Sequence, residues 1–347
     1  MTTHEFYMKR CIELAKNGLG TTYPNPLVGS VIVHDGKIIG EGWHKKAGEP
    51  HAEVNAVNSV KDKSLLKEAT IYVSLEPCSH FGKTPPCCDL IIANKIPNVV
   101  VGTVDPFAKV AGNGIKKLVE SGKNVTVGIL EDECNELNKR FFTFHQKKRP
   151  FIILKWAETA DGFIAPISRE EKSPVWITNP YSRQLVHKWR TEEQAILVGT
   201  NTVLDDNPKL DTRDFSGNNP IRIVLDKSGK ISENYHVKNN SQKTIFITES
   251  ENFISTENCI YENAIFDKTL VHSITSILYK HDIQSVIIEG GSKTIQSFIT
   301  ENIWDEARIF NGQIEFQNGI IAPKLTRFTA NRFDIMDDQL KFIRNYD

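Results

Sequence analysis

Three candidate metal ligands far apart in the chain constrain its fold more than any other feature. His51 opens the run His51-Ala52-Glu53, Cys78 ends Glu76-Pro77-Cys78, and Cys87 follows Pro85-Pro86. To share one ion they require two strand–helix junctions to meet: a helical pattern starts at His51, Cys78 leaves an apolar strand, and Cys87 starts another helical pattern. Thiolate and imidazole ligands suit Zn²⁺ best among common cellular metals. Three protein ligands leave the fourth tetrahedral position open, the catalytic pattern; structural zinc sites normally use four. Both thiols fall near helix N-termini, which favours thiolate. Glu53 falls in the first helical turn, where a carboxylate suits the positive end of the dipole and can move protons to and from a zinc-activated water.

A chain of 347 residues is long for one domain and points to two. Hydrophobic residues at 39% and charged residues at 24% describe a soluble globular protein. With Lys+Arg 42 against Asp+Glu 43, the net charge of −1 provides no global field for nucleic acid. No apolar stretch is long enough to span a bilayer, and Met1-Thr2-Thr3-His4-Glu5 lacks the layout of a secretion signal. The six cysteines are scattered, so a reducing cytoplasm is the simplest reading.

The first part alternates strands and helices. A helix is expected over 3–17, ending at Gly18, then strands Val28–Val33 and Lys37–Trp43 joined by an Asp35-Gly36 hairpin turn. Further strands are expected at Thr70–Leu75, Asn98–Val104 and Asn124–Leu130, with helices at 51–60, 86–94, 112–121 and 131–146. These crossover lengths favour a sheet covered by helices. Gln146-Lys147-Lys148-Arg149-Pro150 reads as a linker or an ordinary loop. A second α/β alternation follows. Its strands are expected at Phe151–Trp156, Ala195–Gly199, Ile221–Asp226, Thr244–Thr248, Ser285–Glu289 and Ala307–Asn311, its helices at 179–191, 272–281 and 292–301. The Asn-, Ser- and Lys-rich stretch 227–266 is expected to be loop-heavy.

Histidine-x-glutamate followed by proline-cysteine is the signature of zinc-dependent nucleobase deaminases. Here eight residues, Ser79 to Pro86, separate the cysteines where that signature has two, which points to a subfamily. Cys88 is turned about 100° from Cys87 on a helix and reads as a non-ligand; Cys11, Cys134 and Cys259 read as small buried residues. The motifs Pro24-Asn25-Pro26-Leu27-Val28-Gly29, Gly42-Trp43-His44, His51-Ala52-Glu53 and Leu75 through Cys87 resemble the bifunctional riboflavin-biosynthesis deaminase–reductases, over essentially the whole chain. The resemblance implies a cytidine-deaminase-like α/β/α sandwich over 1–146 and a dihydrofolate-reductase-like α/β domain over 147–347. It implies His51, Cys78 and Cys87 as zinc ligands, Glu53 as proton shuttle, and Asn25, His44, His80 and Lys83 as substrate contacts. From the residues alone, a substrate role for Asn25 is favoured over a simple turn residue between two prolines, while His44 and His80 are equally structural. Asp105-Pro106-Phe107 stands where the family commonly has Asp-Pro-Asn, so the contact implied there rests on Asp105.

The second half has no G-x-G-x-x-G. Ile287-Ile288-Glu289-Gly290-Gly291-Ser292 runs from a strand through a Gly-Gly turn into a helix, where backbone N–H groups can approach phosphate. By resemblance, Thr202, Asp206, Trp176 and the Gly290-Gly291-Ser292 turn hold NADPH. Lys155, Arg190, Leu210, Arg213 and Glu289 are implied to hold substrate, and arginine forks suit a phosphate. Asp161 and Gly162 also match the family's first reductase strand. Glu158 departs from a usually small residue, and Pro174 from a frequent serine.

The expected activity is hydrolytic deamination of a diaminopyrimidinone ribosylamino 5′-phosphate, then NADPH reduction of its ribosyl group to ribityl. The expected partners are that small molecule and further copies of the chain, not nucleic acid or membrane. The alternative is a zinc deaminase acting on tRNA or another nucleobase, with a non-catalytic second domain; a zinc-stabilised binding module is a third. The balanced charge, the long Ser79–Pro86 insert and the downstream phosphate-reading motifs count against the alternative.

Overall fold

Thr2 starts the first element: its hydroxyl accepts the Glu5 N–H while the Glu5 carboxylate accepts its own, a capping box that begins helix α1 (Thr3–Ala15). The computed structural model describes residues 1–81, 85–106, 112–168, 175–325 and 329–345. It divides into two units, Met1–Lys147 and Lys148–Asp347.

In the first unit, β1 (Gly29–His34) and β2 (Lys37–Trp43) pair antiparallel across Asp35 and Gly36, whose φ of 47° and 71° suit a tight hairpin turn. Then come α2 (Ala52–Ser59), β3 (Thr70–Leu75), α3 (Cys87–Ala93), β4 (Asn98–Thr103), α4 (Asn113–Glu120) and β5 (Asn124–Val127). The sheet order is β2-β1-β3-β4-β5, antiparallel at β1–β3 and parallel from β3 to β5. Alternation along β3 fixes two buried faces. Ile71 and Val73 pack with Ala56, Val57, Ile91 and Leu118 of α2, α3 and α4, while Tyr72 packs with Tyr7, Met8 and Cys11 of α1. This is an α/β/α sandwich. Gly42 lets β2 approach α2, since a Cβ there would lie 2.4 Å from the Ala56 backbone nitrogen.

The single helix expected over 131–146 is instead two, α5 (Glu131–Leu137) and α6 (Lys139–Lys147). The break is at buried Asn138, whose amide accepts the Leu27 N–H at 2.8 Å and donates to the Leu27 carbonyl at 2.9 Å. Those bonds pin the loop that carries Asn25. The expected strand 124–130 ends at Val127, because Gly128 turns the chain at φ 89°.

The second unit runs β6 (Phe151–Glu158), β7 (Phe163–Pro166), α7 (Pro180–Glu192), β8 (Ala195–Gly199), α8 (Thr200–Asp206), β9 (Ile221–Leu225), β10 (Thr244–Thr248) and β11 (Cys259–Asn263). It continues with α9 (Leu270–Lys280), β12 (Ser285–Ile288), α10 (Ser292–Thr300), β13 (Glu306–Asn311), β14 (Gly319–Ile321), β15 (Ala330–Ile335) and β16 (Asp338–Arg344). The described residues form a nine-stranded sheet, β11-β10-β9-β8-β12-β6-β13-β16-β15, parallel until β16 and β15 add an antiparallel edge. One face packs Ile152, Leu154, Leu197 and Ile288 against α9 and α10; the other packs Phe151, Ile153 and Ile287 against Val186 and Trp189 of α7. β11 falls inside the stretch expected to be loop-heavy, where Cys259 to Asn263 pair in parallel with β10.

Candidate active sites

The sheet of the first unit delivers three ligand atoms to one place. His51 is the N-cap of α2, Cys78 follows β3 through Pro77, and Cys87 is the first residue of α3. His51 Nδ1 lies 3.6 Å from Cys78 Sγ and 3.4 Å from Cys87 Sγ. All three ligand atoms lie within 4.8 Å of one another. Nitrogen and sulfur bound tetrahedrally to zinc at about 2.1 and 2.3 Å stand about 3.6 Å apart, so this donor set fits the ion. Cys78 Sγ also accepts the Cys87 N–H at the start of α3, at 3.3 Å. Hydrogen bonding from Cys87 holds the Cys78 thiol far below the ordinary thiol range and pushes the Cys87 thiol up; His51 is raised mainly by its bond to Cys78. Glu53, in the first turn of α2, is 3% exposed, and burial pushes its carboxyl up to about 7. That value suits proton transfer near neutral pH.

Cys88 stands apart from the cluster: its Sγ donates to the Pro77 and Gly114 carbonyls, and burial pushes its thiol up to about 12. His44 is buried, with Nδ1 3.2 Å from the Pro50 carbonyl and Nε2 3.0 Å from Asn25 Nδ2. Its ring centroid is 5.4 Å from that of His51, so Asn25 and His44 form one wall beside the ligands. His80 is exposed. Lys83 and Phe107 lie outside the described residues.

One residue that matters here escaped the sequence reading. Glu76 is 4% exposed and its carboxylate accepts four backbone N–H groups: Gly114 at 2.8 Å, Gly112 at 2.9 Å, and Ile115 and Asp105 at 3.3 Å. It ties the start of α4 and buried Asp105 to the segment that presents Cys78. Replacing Glu76 with alanine strips all four of a charged acceptor, so unfolding free energy should fall by about 3 kcal/mol, and ammonia release with it. An unchanged urea midpoint would contradict this role.

In the second unit the C-terminal ends of β6, β8, β9 and β12 open onto a cavity of ≈ 810 Å³. Ligand sites of parallel α/β sheets lie at such strand ends. Lys155, Trp176, Arg190, Thr202, Asp206, Arg213, Glu289, Gly291 and Ser292 all line it. Gly291 has φ 58° and caps α10, with the Thr202 hydroxyl beside it. The chain thus turns there without a side chain, and helical N–H groups face the cavity, a cradle that fits a dinucleotide phosphate. Arg190 donates to Glu289 at 2.8 and 3.4 Å and to the Asp211 carbonyl at 3.1 Å. Burial works to raise the Glu289 carboxyl, but Arg190 and Lys155 outweigh it and hold the group at about 2. Burial lowers Lys155, against the pull of Glu289. Trp176 is 52% exposed, with the Arg183 guanidinium 4.5 Å over its ring.

Other expectations land elsewhere. Leu210 does not line the cavity; its side chain is 3% exposed, packed with Ile196, Val198 and Phe246. Gly290 is a packing glycine, since a Cβ there would lie 2.4 Å from Val198 Cα. Asp161 accepts the Phe316 and Gln317 N–H groups, and Glu158 accepts from Trp156 and Asn311; neither lines the cavity. Pro174 lies outside the described residues. Arg183 and His187, which line the cavity, were missed, although both share α7 with Arg190.

Residues 1–103 match the cytidine and deoxycytidylate deaminase zinc-binding region, and residues 150–312 the RibD C-terminal domain. The riboflavin biosynthesis protein RibD of Aquifex aeolicus is 42% identical over 325 residues, 92% of this chain and 86% of that one. RibD of Escherichia coli is 36% identical over 338 residues, 92% of this chain and 88% of that one. The crystal structure of a diaminohydroxyphosphoribosylaminopyrimidine deaminase/5-amino-6-(5-phosphoribosylamino)uracil reductase from Thermotoga maritima is similar with a TM-score of 0.88 at 40% identity, over 99% of this chain and 98% of that one.

Proposed function

This chain belongs to the RibD family of bifunctional deaminase–reductases in riboflavin biosynthesis, and from that membership we propose which of its residues carry each step. The first reaction is hydrolytic deamination of 2,5-diamino-6-(5-phosphoribosylamino)pyrimidin-4-one. His51, Cys78 and Cys87 hold zinc, which when bound supplies activation of water near neutral pH. Glu53 takes the proton of the attacking water and passes it to the departing ammonia. Asn25, His44, His80, Lys83 and Asp105 bind the substrate. The Nδ1–Sγ spacing in the ligand cluster is the observation that carries this assignment.

In the second unit the Gly291-Ser292 turn, Thr202, Asp206 and Trp176 bind NADPH, whose nicotinamide supplies hydride. Arg190 and Arg213 take the substrate's 5′-phosphate, with Lys155 and Glu289 beside the sugar. Purified protein with zinc and NADPH should release ammonia from the diaminopyrimidinone and oxidise NADPH in the same mixture. Chelation should stop the first signal and spare the second when deaminated intermediate is supplied. Ammonia release from tRNA, with none from the pyrimidine, would favour the alternative.

No described helix is long and apolar enough to cross a membrane. We read the enzyme as cytoplasmic, in keeping with six free cysteines. We also read it as a homo-oligomer, in keeping with Phe333 and Met336, 53% and 73% exposed at the β15 edge, and light scattering checks this.

A further inference from the structure

His187 carries a buried ring nitrogen, Nδ1, with no hydrogen-bond partner. The residue is 4% exposed, lines the reductase cavity and stands one turn before Arg190 on the same face of α7. A buried polar atom left unpaired costs free energy, which a ligand that pairs it recovers. The other nitrogen, Nε2, lies 3.2 Å from Asp214 Oδ2. A carboxylate at that range draws the ring proton to Nε2 and leaves Nδ1 a bare lone pair. Burial, with Arg190 and Arg213 alongside, lowers the ring's proton affinity against the opposing pull of Asp214 and Glu289. Nδ1 is therefore an acceptor. What it lacks is a donor such as a hydroxyl, not a phosphate oxygen.

The neighbours narrow the choice of donor. On the reading above, in which Arg190 and Arg213 take the 5′-phosphate, the group closest to hand is the oxygen on the adjacent sugar carbon. In the closed ribosyl ring that oxygen, O4′, is an ether and has no hydrogen to give. Ring opening breaks the C1′–O4′ bond, forms a C1′=N double bond and moves the exocyclic N–H proton to O4′. Hydride from NADPH then adds to C1′ and a proton from solvent to the nitrogen, giving the ribitylamino chain. We propose that His187 Nδ1 accepts a hydrogen bond from the 4′-hydroxyl and so selects the ring-opened, reducible form of the substrate.

The test compares the ribitylamino product phosphate with its 4′-deoxy counterpart as inhibitors of NADPH oxidation. Wild-type protein should bind the product roughly 10-fold more tightly than the 4′-deoxy compound. His187→Leu should bind both alike, at the weaker value, while His187→Asn, which keeps an acceptor, retains part of the preference. NADPH affinity by fluorescence titration should not change in either variant. Equal inhibition of the wild type by both compounds overturns the proposal, as does an undiminished preference in His187→Leu. If the leucine variant does not fold, the wild-type comparison decides alone. If neither compound inhibits and Arg190→Met leaves NADPH oxidation intact, the reading of the cavity fails and takes the proposal with it.

Discussion

Glu53→Gln should cut ammonia release by roughly 100- to 10,000-fold while NADPH oxidation with supplied deaminated intermediate stays at the wild-type rate. The side chain is 3% exposed in the first turn of α2, and glutamine preserves its volume and polarity there. What glutamine removes is the ability to take up and release a proton. Because Glu53 is not one of the three clustered ligand atoms, the variant should retain zinc by elemental analysis. More than about a tenth of the wild-type deaminase rate in a zinc-loaded variant would count against the shuttle role.

Arg190→Met should destabilise the reductase unit by about 3–5 kcal/mol, because it leaves Glu289 charged and buried without its partner. The side chains of the pair are 12% and 9% exposed, so water does little to compensate. Glu289→Gln added to the same chain should recover much of that loss in urea unfolding, since it removes the stranded charge. The substrate KM should also rise by roughly 100-fold if Arg190 grips phosphate. The pH dependence has a definite sign. Glu289 sits at about 2 in the folded chain, below the ordinary carboxylate value, so it binds its proton more weakly when folded. Its contribution to stability is complete above the unfolded value, near pH 4, and drains away as pH falls through about 2. Acid unfolding of Arg190→Met should lack this component; equal acid profiles would contradict it.

Much of the fold was legible because buried parallel strands leave long apolar runs. Ile71 to Val73, Val99 to Val101 and Ile196 to Val198 are unbroken runs, buried on both sheet faces. Exposed edge strands leave no such trace. Phe333 and Asp334 of β15 both face solvent, and nothing in their spacing separates strand from loop. The break at Asn138 was hidden for another reason: its partner, Leu27, is 111 residues away. The metal cluster stood out because ligand chemistry limits which residue types can serve. Glu76 did not, because it acts on backbone N–H groups that any residue supplies. Leu210 shows the converse, an apolar residue in a binding motif whose side chain packs in the core. The unpaired Nδ1 of His187 was also hidden, because the partner of its other nitrogen, Asp214, stands in a loop beyond β8 and α8.

The clamp from Asn138 to Leu27 also bears on the order of assembly during synthesis. Synthesis runs from N- to C-terminus, so Leu27 in the Asn25 loop is made 111 residues before the amide that holds it. The loop that carries Asn25, beside His44, is thus left unsecured until nearly all of its unit, which ends at Lys147, has been made.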